Sequence, residues 1–174
     1  MTTTATLAAP RGGKFLTFYL ADEEYGVEIL KVQEIIGMQP ITRVPRTPAF
    51  VRGVINLRGK VIPIMDLRER FGMPEAALDA GAAALRCIIV VRVAAAPDRV
   101  VPMGIVVDRV SEVAAIASED VEDAPSFGAA VKTEYLLGLG KSRCADGQGR
   151  VKLLLDIDRV LATDELSAVA QLDV

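Results

Sequence analysis

The chain repeats itself. The segment GVEILKVQEI (26–35) aligns with GIVVDRVSEV (104–113), so that Gly26 meets Gly104, Lys31 meets Arg109, Val32 meets Val110 and Glu34 meets Glu112. FLTFYL (15–20) answers IIVVRV (88–93), FVRGV (50–54) answers YLLGL (135–139), and GKVIPIMDL (59–67) answers GRVKLLLDI (149–157). The matches keep their order while the offset rises from 73 through 78 and 85 to 90. A duplicated unit whose second copy carries longer loops, at 94–102 and 141–148, gives that progression.

Each copy reads as short strands. Phe15–Leu20, Val32–Ile36, Gly53–Leu57 and Val61–Met65 are apolar and β-branched runs separated by Gly, Pro, Asp and Arg-Gly. Arg58-Gly59 predicts a tight hairpin turn with Gly59 at positive φ. Pro63 inside a strand-like run predicts an edge or a bulge there. About five strands per copy, curled to hide their edges, predict two small β-barrels. The first is expected over about 14–72 plus C-terminal elements, the second over about 85–160, with the alanine-rich 73–84 as linker and 1–13 as a disordered tail. Asp66 and Asp156 are placed to cap short helices at Leu67–Phe71 and Ile157–Leu161, and Ser118 to cap 119–123. Thr163 opens a C-terminal helix with Leu166, Val169 and Ala170 on one face.

Composition removes several function classes. The chain has no histidine, hence neither the commonest general base nor the commonest metal ligand. Cys87 and Cys144 are far apart in sequence and read as free thiols of a reducing compartment. GLGKS (138–142) would complete a phosphate-binding loop only with glycine at 135, where Tyr135 stands. Asp66, Asp108 and Asp156 follow apolar strands, but two have the simpler role of caps and no further oxygen ligand accompanies them. No nucleophile elbow is present. Neither an enzyme, a cofactor nor a metal site is expected. No apolar run reaches the 18 residues of a membrane span, and the N-terminus lacks the pattern of a signal peptide, so a cytoplasmic location is expected.

What remains is surface recognition. Seven basic residues against two acidic ones lie between Arg43 and Arg70, a local excess of +5 that leaves −8 for the rest of the chain. Such a bipolar surface either orients protein–protein encounter or simply keeps the molecule soluble. The basic segment has only Phe50 and Phe71 for stacking, so nucleic acid is not an expected partner. Glu34 and Arg58, of opposite charge at the ends of strand-like runs, are either a pair or two independent side chains. Val32 and Val110, related by the repeat, are either equivalent surface points or ordinary core.

The segments EYGVEILKVQEI, TRVPRTPAFVRGVINLRGKVIPIMDLR, GIVVDRVSEV, TEYLLGLG and LLLDIDRVL together resemble the CheW family of chemotaxis coupling proteins, from about Phe15 to Leu161. The resemblance implies a mostly β fold of two SH3-like five-stranded barrels. It implies a non-enzymatic adaptor, monomeric in solution, that bridges the cytoplasmic tips of transmembrane chemoreceptors and the regulatory domain of a CheA-type histidine kinase. Under it, Leu16, Ile29, Val32 and Val110 line a receptor-binding groove with Glu34 and Arg58 as a charged pair beside it. Ile41, Val44 and Val61 match a kinase-docking surface, and the neighbourhood of Phe127 a second kinase contact. A non-flagellar chemosensory pathway is the alternative setting. A small-molecule-binding double barrel or an enzyme is the distant one.

Overall fold

The computed structural model describes residues 12–73, 80–96, 98–123, 135–142 and 150–161. Residues 1–11 of the expected tail, Phe127, Cys144 and the helix from Thr163 lie outside them, whereas Gly12 and Gly13 are described and Gly13 opens the first strand. In order, the chain forms β1 (Gly13–Leu20), β2 (Glu23–Glu28), a 3₁₀ turn (Ile29–Lys31), β3 (Val32–Gly37), β4 (Val51–Leu57), β5 (Lys60–Asp66) and α1 (Leu67–Arg70). There follow α2 (Ala80–Leu85), β6 (Cys87–Ala96), β7 (Arg99–Val107), β8 (Arg109–Ile116), a second 3₁₀ turn (Ser118–Asp120), β9 (Val121–Glu122), β10 (Leu136–Ser142), β11 (Arg150–Leu155) and α3 (Ile157–Val160).

The mostly β fold has two sheets, and each draws strands from both halves of the chain. One sheet runs β8-β1-β2-β11-β10-β9, the other β3-β6-β7-β5-β4. Written in repeat positions, both follow the order third, first, second, fifth, fourth. The strands at the first and second repeat positions always come from one copy and the rest from its partner copy, the six-stranded sheet adding the short β9 at its end. The copies have therefore exchanged their N-terminal hairpins. The exchange is made by two parallel pairings in matching register: Ile64 opposite Gly104 between β5 and β7, and Leu154 opposite Gly26 between β11 and β2. Local pattern sets strand positions and faces, but not which hairpin enters which sheet.

Burial follows from this interlocking. β6 buries Ile88 and Val90 on one face and Ile89, Val91 and Val93 on the other, which is why CIIVVRV is almost continuously apolar. Ile89, Val91, Ile105, Phe18, Val27, Met65 and Leu155 join one large cluster to which both sheets contribute. Ile55, Ile62, Ile64, Ile88, Val90 and Val106 fill the five-stranded barrel, while Phe15, Ile116, Val121 and Leu154 fill the other. An aromatic chain, Phe18–Tyr25–Phe71–Tyr135, runs through the shared core with ring centroids 5.8 to 6.0 Å apart, the first two pairs stacked and the last tilted. Arg70 lies over the rings of Phe50 and Tyr135, which occupy equivalent places in the two copies.

The hairpin between β4 and β5 has the two-residue loop expected, with Arg58 at φ 53° as well as Gly59 at φ 85°. Positive φ at both positions is the type I′ signature, and Asn56 Oδ1 accepts the Gly59 N–H at 2.8 Å. Pro63 departs from expectation: β5 lies between β4 and β7, and the bulge falls in β4 between Val51 and Gly53. Val54 commits both its backbone groups to Thr42, at 2.9 and 2.8 Å, so the Pro63–Val54 pair carries no ladder hydrogen bond to lose. Asp66 accepts from the Arg68 and Glu69 amides, and Asp156 from that of Arg159, capping α1 and α3. Ser118 is not a cap. Ala117 holds that position, and the serine hydroxyl accepts the Gly12 N–H at 3.3 Å.

Candidate functional site

The apolar residues singled out from sequence converge on the shared core. Val32 pairs with Val91 on β6, and Val110 with Phe18 on β1. Those two contacts are images of each other under the repeat. Ile29, Val32 and Val110 are half-buried and pack on the inter-sheet cluster, so each keeps an accessible face. Leu16 is only 3% exposed and belongs to the floor beneath them. Leu30, between Ile29 and Lys31, is 84% exposed and was missed by sequence reasoning. Its single signal is a large apolar residue in a segment otherwise accounted for by core contacts. The 3₁₀ turn that holds it touches β1 of one sheet and β6 of the other, so it sits at their junction.

Glu34 and Arg58 are a pair. Arg58 Nη1 and Nη2 each donate to one Glu34 carboxylate oxygen at 2.7 Å, a fork-on-fork geometry. β3 and β4 are the two edges of the five-stranded sheet, and this contact spans the seam between them. The hydrogen bonds from Arg58 hold the Glu34 carboxyl below the usual range, and the same bonds push the guanidinium up. The arginine side chain is 71% exposed, so the pair fixes the shape of the turn more than it stabilises the fold.

The second barrel solves the same problem differently. Glu112, the counterpart of Glu34, meets Lys152 at 3.2 Å. The lysine occupies the place of Ile62 and is buried. Its ammonium also lies 3.2 Å from Glu24 Oε2, an ion contact without hydrogen-bond geometry. A buried charge flanked by carboxylates replaces the aliphatic filling of the first barrel.

Two further ion pairs tie the exchanged hairpins. Arg68 on α1 pairs with Asp108, whose Oδ2 accepts the Ala21 N–H at 2.7 Å in the β1–β2 turn. Desolvation works against ionisation of Asp108, but Arg68 and the Ala21 amide outweigh it and hold its pKa low. Lys31 pairs with Asp158 on α3 at 2.7 Å, and Asp158 Oδ1 accepts the Ala94 N–H at 3.0 Å.

The residues matched to a kinase surface lie on the β4 side of the five-stranded barrel. Ile41 packs on that barrel's filling, Val44 is half-buried with its carbonyl accepting the Thr47 hydroxyl at 2.9 Å, and Val61 is 43% exposed opposite Asn56. Arg43, Arg46 and Arg52 line a shallow cavity of about 250 Å³ beside them. Arg52 is engaged by Asp66 at 3.1 Å, while Arg43 and Arg46 are exposed. Among the described residues no group of three or more His, Cys, Asp or Glu side chains could hold a metal ion, and no helix is long and apolar enough to cross a membrane.

Two interlocked SH3-like barrels, with Ile29, Val32 and Val110 half-buried on their shared core and the forked Glu34–Arg58 pair on one of them, define a double-barrel β domain. The CheW-like domain family matches residues 14–165. A chemotaxis protein CheW of Klebsiella aerogenes is 44% identical over 158 residues, spanning 91% of this chain and 87% of the relative. One from Treponema pallidum is 34% identical over 160 residues, 91% and 88% of the two chains. The crystal structure of the scaffolding protein TtCheW from Thermoanaerobacter tengcongensis superimposes with a TM-score of 0.73 at 29% identity, covering 90% of this chain and 92% of that one. The chain belongs to the CheW family of chemotaxis scaffolds.

Proposed function

We propose that this chain is a non-enzymatic adaptor that couples transmembrane chemoreceptors to a CheA-type histidine kinase, working in the cytoplasm at the receptor array. The observation that carries this reading is the open rim of the inter-sheet core. Ile29, Val32 and Val110 keep accessible apolar faces there, Leu30 projects beside them, and Leu16 backs them from below. An amphipathic helical hairpin, the form of a receptor tip, can lay its apolar stripe on such a rim. The Glu34–Arg58 fork beside it supplies orientation rather than affinity.

The kinase regulatory domain takes the other face, through Val61, Ile41 and Val44, with the exposed Arg43 and Arg46 steering the encounter. The neighbourhood of Phe127 offers the second kinase contact. Signal passes without chemistry: receptor and kinase each bury apolar surface on one rigid double barrel, and a change in receptor packing shifts the kinase between two arrangements. Co-sedimentation with receptor hairpin fragments and kinase tests the bridging. Both partners are expected to pellet together only when the chain is present, and independent pelleting contradicts the reading.

A further inference from the structure

The turn Ile29–Lys31 carries the most exposed large apolar side chain among the described residues, yet none of its own residues is buried and no side chain caps its start. Its hold on the body of the protein is slight. The Val32 N–H donates to the Ile29 carbonyl, Ile29 packs on the shared core, and Lys31 reaches Asp158. Asp158 is the branching point. One carboxylate oxygen takes the Lys31 ammonium at 2.7 Å and the other takes the Ala94 amide of β6 at 3.0 Å. One side chain on α3 therefore ties the turn to a strand of the opposite copy.

The repeat shows that this tie is not incidental. Ala94 corresponds to Ala21 and Asp158 to Arg68, and at the matching corner Arg68 pairs with Asp108, which accepts the Ala21 amide. Lys31 itself aligns with Arg109 rather than with Asp108, so the corners are alike in kind: in each, a backbone amide is tied to a carboxylate that also holds a cation. At this corner the cation belongs to the turn that carries Leu30.

We propose that Lys31 and Asp158 form a positioning pair that sets the pose of the Ile29–Lys31 turn, and through Leu30 and Val32 governs how tightly the rim holds a receptor hairpin. The proposal rests on the receptor reading for its binding consequence, but not for its structural one. Both side chains are about one-third exposed, 32% and 31%, so their replacement leaves the fold in place.

The test uses the full chain with Lys31→Met, Asp158→Asn and the double variant. Asparagine keeps an acceptor for the Ala94 amide, which isolates the ion pair. Each single change is expected to weaken binding of a receptor hairpin fragment by about fivefold. It should also speed amide exchange at Val32, with the melting temperature within about 3 °C of the parent. The double variant should be no worse than either single one, because the lost interaction is shared. Unchanged Val32 exchange in both single variants, or losses that multiply in the double, overturns the proposal. If the parent chain binds no receptor fragment, the receptor reading falls, and Val32 exchange decides the positioning role by the same criterion.

Discussion

Gly104 is where the exchange of hairpins is most exposed to measurement. It sits on β7, in parallel register with Ile64 of β5, so one of its two neighbouring strands comes from the other copy of the repeat. A Cβ at this position would lie 2.6 Å from Ile64 Cδ1 and 2.7 Å from Ile88 Cγ2, both on fully buried side chains. Overpacking of this kind costs about 1–3 kcal/mol, and the lower unfolded-state entropy of alanine returns about 0.4–1 kcal/mol. Gly104→Ala should therefore lose about 1–2 kcal/mol in urea denaturation, or about 3–6 °C in melting temperature for a chain of this size. The contact makes a sharper claim. Ile64→Val removes the very Cδ1 atom that the new methyl would strike. Alone it should cost about 0.5–1.5 kcal/mol, whereas in the Gly104→Ala background it should cost nothing or restore stability. A double-mutant cycle reads that coupling directly. Strict additivity of the two changes would refute the parallel β5–β7 pairing, and with it the exchange. At the symmetry-related Gly26 the nearest atom is Leu154 Cδ2 at 3.0 Å, so Gly26→Ala should be the milder substitution.

Other consequences follow from the rim and from the core. Val32→Asp places a carboxylate on the accessible edge of the shared core and should abolish pull-down by receptor fragments while far-UV circular dichroism is retained; undiminished pull-down would put the receptor elsewhere. Arg58→Ala should impair receptor-dependent kinase control with a melting temperature close to the parent's, because its exposed fork shapes the turn; a large drop would make the residue structural. Burial and then the neighbouring Glu23 push the Tyr25 hydroxyl up to about 12. Its folded value lies above the unfolded one of about 10, so the folded state keeps its proton longer and stability falls as pH rises from about 10 through about 12. Alkaline unfolding monitored by tyrosinate absorbance should show this, and should be delayed in Tyr25→Phe.

Much of this architecture could be read in the chain. The repeat located the strands, Arg58-Gly59 located the hairpin, and Asp66 and Asp156 announced the short helices, because turn geometry and capping depend on residues a few positions apart. Strand partnership depends on residues 40 or more apart, here Ile64 with Gly104, and alternation along a strand is the same whichever sheet receives it. Pro63 misled for a related reason: its tolerance comes from Thr42, which takes the Val54 backbone groups from the far side. At the site, Val32, Val110, Glu34 and Arg58 stood out through repeat symmetry and charge. Leu30 carried no such mark, and Lys152 hides a buried charge in a segment whose counterpart is aliphatic. The Lys31–Asp158 tie joins residues from opposite ends of the chain, and nothing local in sequence foretells it.

The most direct test of the adaptor account is the rate of kinase autophosphorylation in a mixture of receptor fragments and a CheA-type kinase, with this chain added or withheld. The account predicts receptor-dependent control of the rate only when the chain is present, lost with Val32→Asp. The same rate with and without the chain would contradict it.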